Sequence, residues 1–274
     1  MKGTTFQIPK EKAALNPSSI MGDQEGIYFT FMSDMGAIAS LLPAPLEPAM
    51  PLVSGYIVEI RKPAFSEAYM EAMLGVYVKM GDTVGMYPVT FLLSGAGAEM
   101  ATYLGREQLG LPKKVCDAKG GIYLTKEGDR IRGIVERKGV RLMDVSMELG
   151  AYNNPMTGDV YSHPEPGKKT GGTSFYFKPC LEPDGNGRVR YASVDLLTND
   201  AEYTYYAWTP GKVSIRLKSS EYDAWGQLPV LENLGGGYTN NDLEMKEVYL
   251  AEKLSADDAM PYLLSMRFDK EALL

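Results

Sequence analysis

Histidine is almost absent from this chain. His163 is the only one among 274 residues, and Cys116 and Cys180 are the only cysteines. No zinc spacing can be built from that set, and no metal site is expected. A serine triad would need His163 as its positioned base, and no Gly-x-Ser-x-Gly elbow is present. His163 sits in the loop HPEPG and is expected to be exposed and structural. Two thiols do not make a disulfide framework. The N-terminal stretch MKGTTFQIPKEKAALNPSS has no apolar core of the signal-peptide kind, so a cytoplasmic, reducing location is expected.

Basic blocks are missing too. Lys and Arg total 28 against 35 Asp and Glu, for a net charge of -7. A nucleic acid or an anionic membrane is therefore not an expected partner. The longest apolar stretch, VGMYPVTFLLSGAGA, is broken by Pro88 and glycines and is too short to span a bilayer. SGAGAEM lacks the third glycine of a dinucleotide loop and the Lys-Ser/Thr of a Walker motif, so it reads as a strand-to-helix turn. DGNG, Asp184 to Gly187, fails the calcium-loop pattern and reads as a hairpin turn.

What remains is an ordinary globular composition, 45% hydrophobic and 23% charged, in a chain long enough to bury a core without staples. No composition shift marks a second domain. A single domain over 1–274 is expected, with roughly the first 20 residues as an arm. The pattern is mostly that of antiparallel strands. IYFTFM, LVSGYIVEI, VYVKM and YPVTFLL read as buried strands, and SEAYMEAML as a helix or a long loop. Later, hairpins are expected around Lys138 and Gly139, around EPDGNG, and around TPG between EYTYYAW and KVSIRLK. Three helices are expected. Ser33 or Asp34 caps MGAIASLL. AEMATYLGREQLG has Met100, Tyr103, Leu104 and Leu109 on its apolar side and Gly110 as C-terminal cap. SADDAMPYLLSM starts with Ser255 and Asp258 in capping-box spacing. The fold class is α+β, predominantly antiparallel β with a few short helices, and a closed barrel is one arrangement that would satisfy it.

Elimination leaves the lysines. A lysine that attacks a carbonyl must be neutral, and a free one titrates near 10.4, so only about four in ten thousand are neutral at pH 7. Burial or a neighbouring cation changes that balance. Two lysine doublets exist. Lys168 and Lys169 lie between glycines and a proline, the setting of a wet loop. Lys113 and Lys114, in GREQLGLPKKV, lie among Leu109, Leu111, Pro112 and Val115. If PKKVC is a strand, Lys113 and Val115 share one face and Lys114 and Cys116 the other. Burial, and not the Lys114 charge, would then tune Lys113, with Lys114 in a structural ion pair.

At these residues the chain resembles the acetoacetate decarboxylase superfamily. The family pattern of Gly-Arg-Glu, a short spacer and Pro-Lys-Lys is matched by Gly105, Arg106, Glu107, Pro112, Lys113 and Lys114. FMSDMGAIASLLPAPLEP, SFYFKPCLEPDGNGRVR, AWTPGKVSIRL and LPVLENL resemble further family segments in order. The resemblance implies a β-barrel-centred α+β fold, a homo-oligomer, and no cofactor beyond an imine on Lys113. Arg106, Glu107 and Lys114 would support that lysine. It also places Glu71 near the reacting carbon as a proton shuttle or substrate-orienting group, against the alternative of an exposed carboxylate on a helix.

Two positions depart from the decarboxylase pattern. A family glutamate falls at Tyr56. The arginine that precedes the aspartate matched by Asp34 falls at Gln24, and glutamine offers a carboxylate no bidentate cation. Gln24 and Tyr56 are thus the candidate substrate-binding residues that set the reaction. The superfamily includes aldolase-dehydratases, which join pyruvate to an aldehyde through the same enamine. That branch is the expectation here, with decarboxylation of acetoacetate or a larger β-keto acid as the alternative and a non-catalytic carbonyl binder as the third. A small keto acid, with an aldehyde on the aldolase route, is the expected substrate. Tyr238 and Tyr249 are candidates for a late proton, although core packing explains them as well.

Overall fold

In a computed structural model, residues 19–273 are described; the expected N-terminal arm lies almost wholly outside them. Eleven strands carry the fold: β1 (Met21–Met32), β2 (Glu47–Pro63), β3 (Tyr69–Met80), β4 (Thr83–Ser94), β5 (Lys113–Val115), β6 (Gly121–Glu127), β7 (Arg130–Arg137), β8 (Val140–Leu149), β9 (Lys169–Pro183), β10 (Val189–Leu217) and β11 (Glu232–Ser255). The helices are short: α1 (Met35–Ala39), α2 (Ala98–Leu109), α3 (Thr157–Val160) and α4 (Ala256–Arg267).

The strands form one sheet in the order β11-β1-β2-β3-β4-β9-β10-β8-β7-β6, with β5 beside β4. β10 also pairs with β11, so seven strands close into a ring. Nearly every pairing is antiparallel. The ring is joined at β4 and β9 by a single parallel bridge, Met86 to Ser174, so it is a loosely closed sheet and not a continuously bonded barrel. The second parallel pair, β4 with β5, needs a crossover connection, and α2 supplies it.

The sheet divides the apolar residues into two cores. One holds Ile27, Phe29, Phe31, Ile57, Val76 and Leu92 with the inner side of α4. The other holds Tyr28, Tyr56, Val58, Met73, Phe91, Leu93 and Tyr176 with the inner side of α2. Period-two alternation sends neighbours on one strand to different cores.

Several local expectations hold. Asp34 caps α1, its carboxylate accepting from the Ala37 N–H at 2.8 Å. Gly110 ends α2 in the left-handed region, φ 72°. Lys138 and Gly139 both have positive φ in the β7–β8 hairpin. Four readings need correction. YMEAML is strand, not helix or loop: β3 lies between β2 and β4 with both faces covered, and that burial overrides the helix propensity of Met, Glu and Ala. TPG is no turn: β10 runs straight through Pro210, and Gly211 passes the strand from β11 to β8 by pairing with both Gly236 and Leu149. The buried side of α2 is Ala98, Ala101, Thr102 and Leu109, while Met100 and Tyr103 are exposed, since the helix docks closely through its small residues. Ser255 occupies the N-cap of α4 but makes no side-chain capping bond.

Candidate active site

The candidate site is built from four adjacent strands in register. Lys113 of β5 stands opposite Phe91 of β4. Phe91 is opposite Met73 of β3, and Met73 is opposite Tyr56 of β2. Glu71 is two residues from Met73 on β3, hence on the same face. These side chains all enter the tyrosine-rich core.

The motif around Lys113 has a mechanical reading. α2 crosses directly over the lysine stem. A Cβ at Gly105 would stand 3.0 Å from Lys113 Cδ and Cε, so glycine leaves the stem room that a side chain there would take. Arg106 Nε donates to the Lys113 carbonyl at 2.9 Å, and its guanidinium also bonds the Arg267 carbonyl. Helix, strand and C-terminal helix are clamped together at the lysine. Glu107 points outward from α2 and does not reach the site.

Lys113 is 4% exposed and Glu71 1%. Lys113 Nζ donates to Glu71 Oε2 at 2.8 Å, and the Tyr56 hydroxyl donates to Glu71 Oε1 at 2.6 Å. Both carboxylate oxygens are therefore engaged. The Phe91 ring centroid is 5.3 Å from Lys113 Nζ, within cation–π range. Glu71 is thus neither exposed nor on a helix. Burial, and then the Glu71 charge, push the Tyr56 hydroxyl well above the usual tyrosine range, so it remains a donor.

A second hydrogen-bonded row lies alongside. The Tyr28 ring is 5.3 Å from that of Tyr56. Its hydroxyl donates to Gln24 Oε1 at 2.9 Å and accepts from Asn241 Nδ2 at 3.4 Å. Gln24 is 2% exposed and reaches the site only through Tyr28.

Above these residues opens a cavity of about 330 Å³, lined in part by Tyr28, Tyr56, Met73, Tyr77, Tyr161 and Tyr203. Tyr56 belongs to both the cavity wall and the Glu71 hydrogen bond, so Lys113 stands one side chain beyond the cavity floor. Sequence reasoning missed this aromatic wall. EYTYYAW held the signal, because Tyr203 and Tyr205 are two apart on one strand. Tyr238 and Tyr249 are elsewhere: Tyr238 bonds Glu25 under the Lys126 ammonium, and Tyr249 is 52% exposed. His163 is exposed, with Nε2 2.8 Å from Asp159 Oδ1. Among the described residues, no group of three His, Cys, Asp or Glu side chains is placed to hold a metal ion.

Lys114 behaves as its strand position requires. Its Nζ donates to the Tyr222 carbonyl at 2.8 Å and pairs with Asp223 at 3.3 Å and Asp269 at 3.5 Å. Burial pulls its ammonium below the usual lysine range, with Asp223 opposing that fall.

This architecture has known relatives. The chain is 34% identical over 253 residues to the CLA biosynthesis isomerase of Lactiplantibacillus plantarum, covering 91% of this chain and 89% of the relative. It is 27% identical over 235 residues to the acetoacetate decarboxylase of Burkholderia vietnamiensis, covering 81% and 84%. A solved acetoacetate decarboxylase structure superposes with a TM-score of 0.71 at 18% identity, covering 90% of this chain and 96% of that one, a likeness of fold. No helix among the described residues is long and apolar enough to cross a membrane. Residues 5–254 match the acetoacetate decarboxylase family model, and the chain belongs to that family.

Proposed function

We propose that the chain is a Schiff-base enzyme in which Lys113 forms an imine with a carbonyl substrate and Glu71 moves the protons, the net reaction being isomerisation of an unsaturated ketone. The observation that carries this reading is the buried row Lys113–Glu71–Tyr56 at the floor of an aromatic cavity.

Each step has a resident group. Glu71 takes a proton from the Lys113 ammonium, and the amine attacks the carbonyl carbon. Glu71 returns that proton to the alkoxide oxygen and then relays a second one to it from the carbinolamine nitrogen, so that water leaves and an iminium cation remains beside the Phe91 ring. The carboxylate then removes a proton from carbon next to the iminium, giving an enamine. Return of a proton at a different carbon moves the double bond, and water hydrolyses the iminium to ketone and free lysine. No oxidant, reductant or cofactor enters the balance. Tyr56 keeps one Glu71 oxygen hydrogen-bonded throughout.

The enamine is shared with aldol addition–dehydration and with decarboxylation; the electrophile and the leaving group separate the three. Isomerisation asks only for proton transfer, and the 34% identical relative carries the name isomerase. The aldolase-dehydratase reading expected from the sequence requires pyruvate and an aldehyde to be held together, and decarboxylation requires a β-keto acid.

Trapping with borohydride is the test. Incubation with a β,γ-unsaturated ketone should leave a reduced adduct on Lys113, move the double bond into conjugation with an ultraviolet absorbance rise, and introduce deuterium from D2O. Absence of any adduct with any carbonyl compound sinks the Schiff-base reading. Efficient CO2 release from acetoacetate, or condensation of pyruvate with an aldehyde, replaces isomerisation with that reaction.

A further inference from the structure

The cavity has a chemical character of its own. None of the residues lining it carries a charged side chain: the walls are Tyr, Met and Val with Ser, Thr, Gly and Ala. Gln24 stands off the wall, its side chain bonded to Tyr28. The two charges beneath the floor, Lys113 and Glu71, are paired with each other at 2.8 Å. A carboxylate entering here would lose its hydration and meet no free cation, a cost of several kcal/mol in general terms. Charges reappear only outside, where the strand 169–173 carries Lys169 and faces Asp200, Glu202 and Lys246. Even there the ions are already satisfied, Lys169 pairing with Glu202 at 2.9 Å and Lys246 with Glu202 at 3.4 Å.

The route from that rim inward passes one glycine with room to spare. Thr170 and Ser174 line the cavity from β9, Thr170 standing opposite Tyr203, which also lines it. Gly172 lies midway between them on the same face. A Cβ there would meet nothing within 4 Å, and its φ is outside the left-handed region. The space in front of Gly172 is therefore open, and the backbone accepts a side chain.

We infer that the substrate is a neutral carbonyl compound with an apolar arm, its carbonyl at Lys113 and its arm running along the tyrosine wall past Gly172, with no carboxylate inside the cavity. This rests on the Schiff-base reading for the position of the carbonyl, and on the cavity alone for the charge and the arm. A volume of about 330 Å³ holds roughly eleven groups of water size, so arms of several carbons fit before the rim. Position 172 then sets the longest arm accepted.

The experiment compares near-isosteres and chain lengths. Borohydride trapping on Lys113 is measured with 2-butanone against pyruvate, 2-pentanone against acetoacetate, and the 2-alkanones up to 2-decanone. Neutral ketones should trap at least about a hundredfold more efficiently than the keto acids, the equivalent of about 2.7 kcal/mol. Efficiency should rise with arm length. In Gly172→Leu, the longest alkanones should lose at least about tenfold in trapping relative to 2-butanone on the same variant. Keto acids that trap as well as ketones overturn the inference, as does a Gly172→Leu profile parallel to that of the unsubstituted chain. Equilibrium binding of the same compounds to Lys113→Met, by calorimetry, separates the two proposals. Tighter binding of neutral ketones with no trapping anywhere leaves the substrate class standing and ends the imine. Equal or tighter binding of keto acids ends the substrate class whatever the chemistry.

Discussion

Lys113 and Lys114 are adjacent on a three-residue strand, equally buried at 4% and 5% exposure, and held in opposite ways. Lys114 has two carboxylates and a carbonyl around it, and Arg137 shares both carboxylates, with Nη1 2.8 Å from Asp223 and Nη2 2.7 Å from Asp269. Its charge is spread through a network that ties β5 to β7 and to the segment after α4. Lys113 has one carboxylate, and that carboxylate is itself held by Tyr56 beneath a cavity. Equal burial therefore does not mean equal role. A lysine locked by several partners is a fastener, and a lysine with one partner that can accept its proton, one side chain beneath a cavity, is available for reaction.

Breaking the comparison at its strongest point separates the two. Lys113→Met should abolish borohydride trapping and reduce turnover by a factor on the order of 10⁴ or more. Lys114→Met should keep both. The pH profile of adduct formation should also keep its position, because the two ammonium groups point to opposite faces. A profile displaced by Lys114→Met would show that the charge is felt across the strand after all.

Glu71→Gln comes next. Glutamine can keep hydrogen bonds to Lys113 and Tyr56 but cannot accept a proton. Turnover should fall about 10²- to 10⁴-fold, with solvent deuterium incorporation lost in parallel. A variant that still exchanges deuterium at the full rate removes Glu71 from the proton path.

For Lys114→Met the readout is stability. Removing one member of a buried pair usually costs about 3–5 kcal/mol. Arg137 still holds Asp223 and Asp269 here, so the lower end, about 3 kcal/mol by denaturant titration, is expected. A loss below about 1 kcal/mol would make the network incidental.

Much of this contrast was legible in the sequence, and the reasons are local. Strand periodicity alone sent the two lysines apart, since adjacent residues of a strand cannot share a face. The Gly105, Arg106 and Lys113 spacing was visible as a pattern, and the structure gives its cause: a helix crossing over a lysine stem, with an arginine on the next carbonyl. Glu71 was placed by alignment but set on the wrong kind of element, because burial between two strands leaves no trace in residues that favour helices. Asp223 and Asp269 were invisible. They are more than a hundred positions from Lys114, and only the packing of the segments that follow β10 and α4 brings them to it.

Gly105→Ala sharpens the Lys113 side without touching a reacting group. The added Cβ would come within 3.0 Å of Lys113 Cδ and Cε, the flexible end of a side chain, so the stem shifts and the fold survives. Displacing the nucleophile by a few tenths of an ångström should lower trapping efficiency about tenfold, with kcat bearing more of the loss than KM. Lys114 and the ion network should be unaffected, so the midpoint of unfolding should move little. Equal losses in stability and reactivity would mean that Gly105 serves helix packing alone.

The smallest effect tests the Lys114 side through acid. Burial raises the Asp269 carboxyl, but the bonds from Arg137 and Lys138 outweigh it and hold the group below the usual carboxylate range. A depressed folded value means that the unfolded chain binds the proton more readily. The stabilisation from Asp269 is therefore complete above the ordinary aspartate value, about 3.9. It is lost as pH falls through the lower folded value. Asp269→Asn should be less stable than the unsubstituted chain by about 1–2 kcal/mol at pH 7. The gap should narrow progressively below about pH 4. Trapping on Lys113, on the other face of the strand, should show no matching change between the two proteins. A gap that stays constant down to pH 2 would place the stabilising contact in packing, and the contrast between the two lysines would then rest on the hydrogen bonds of Lys113 alone.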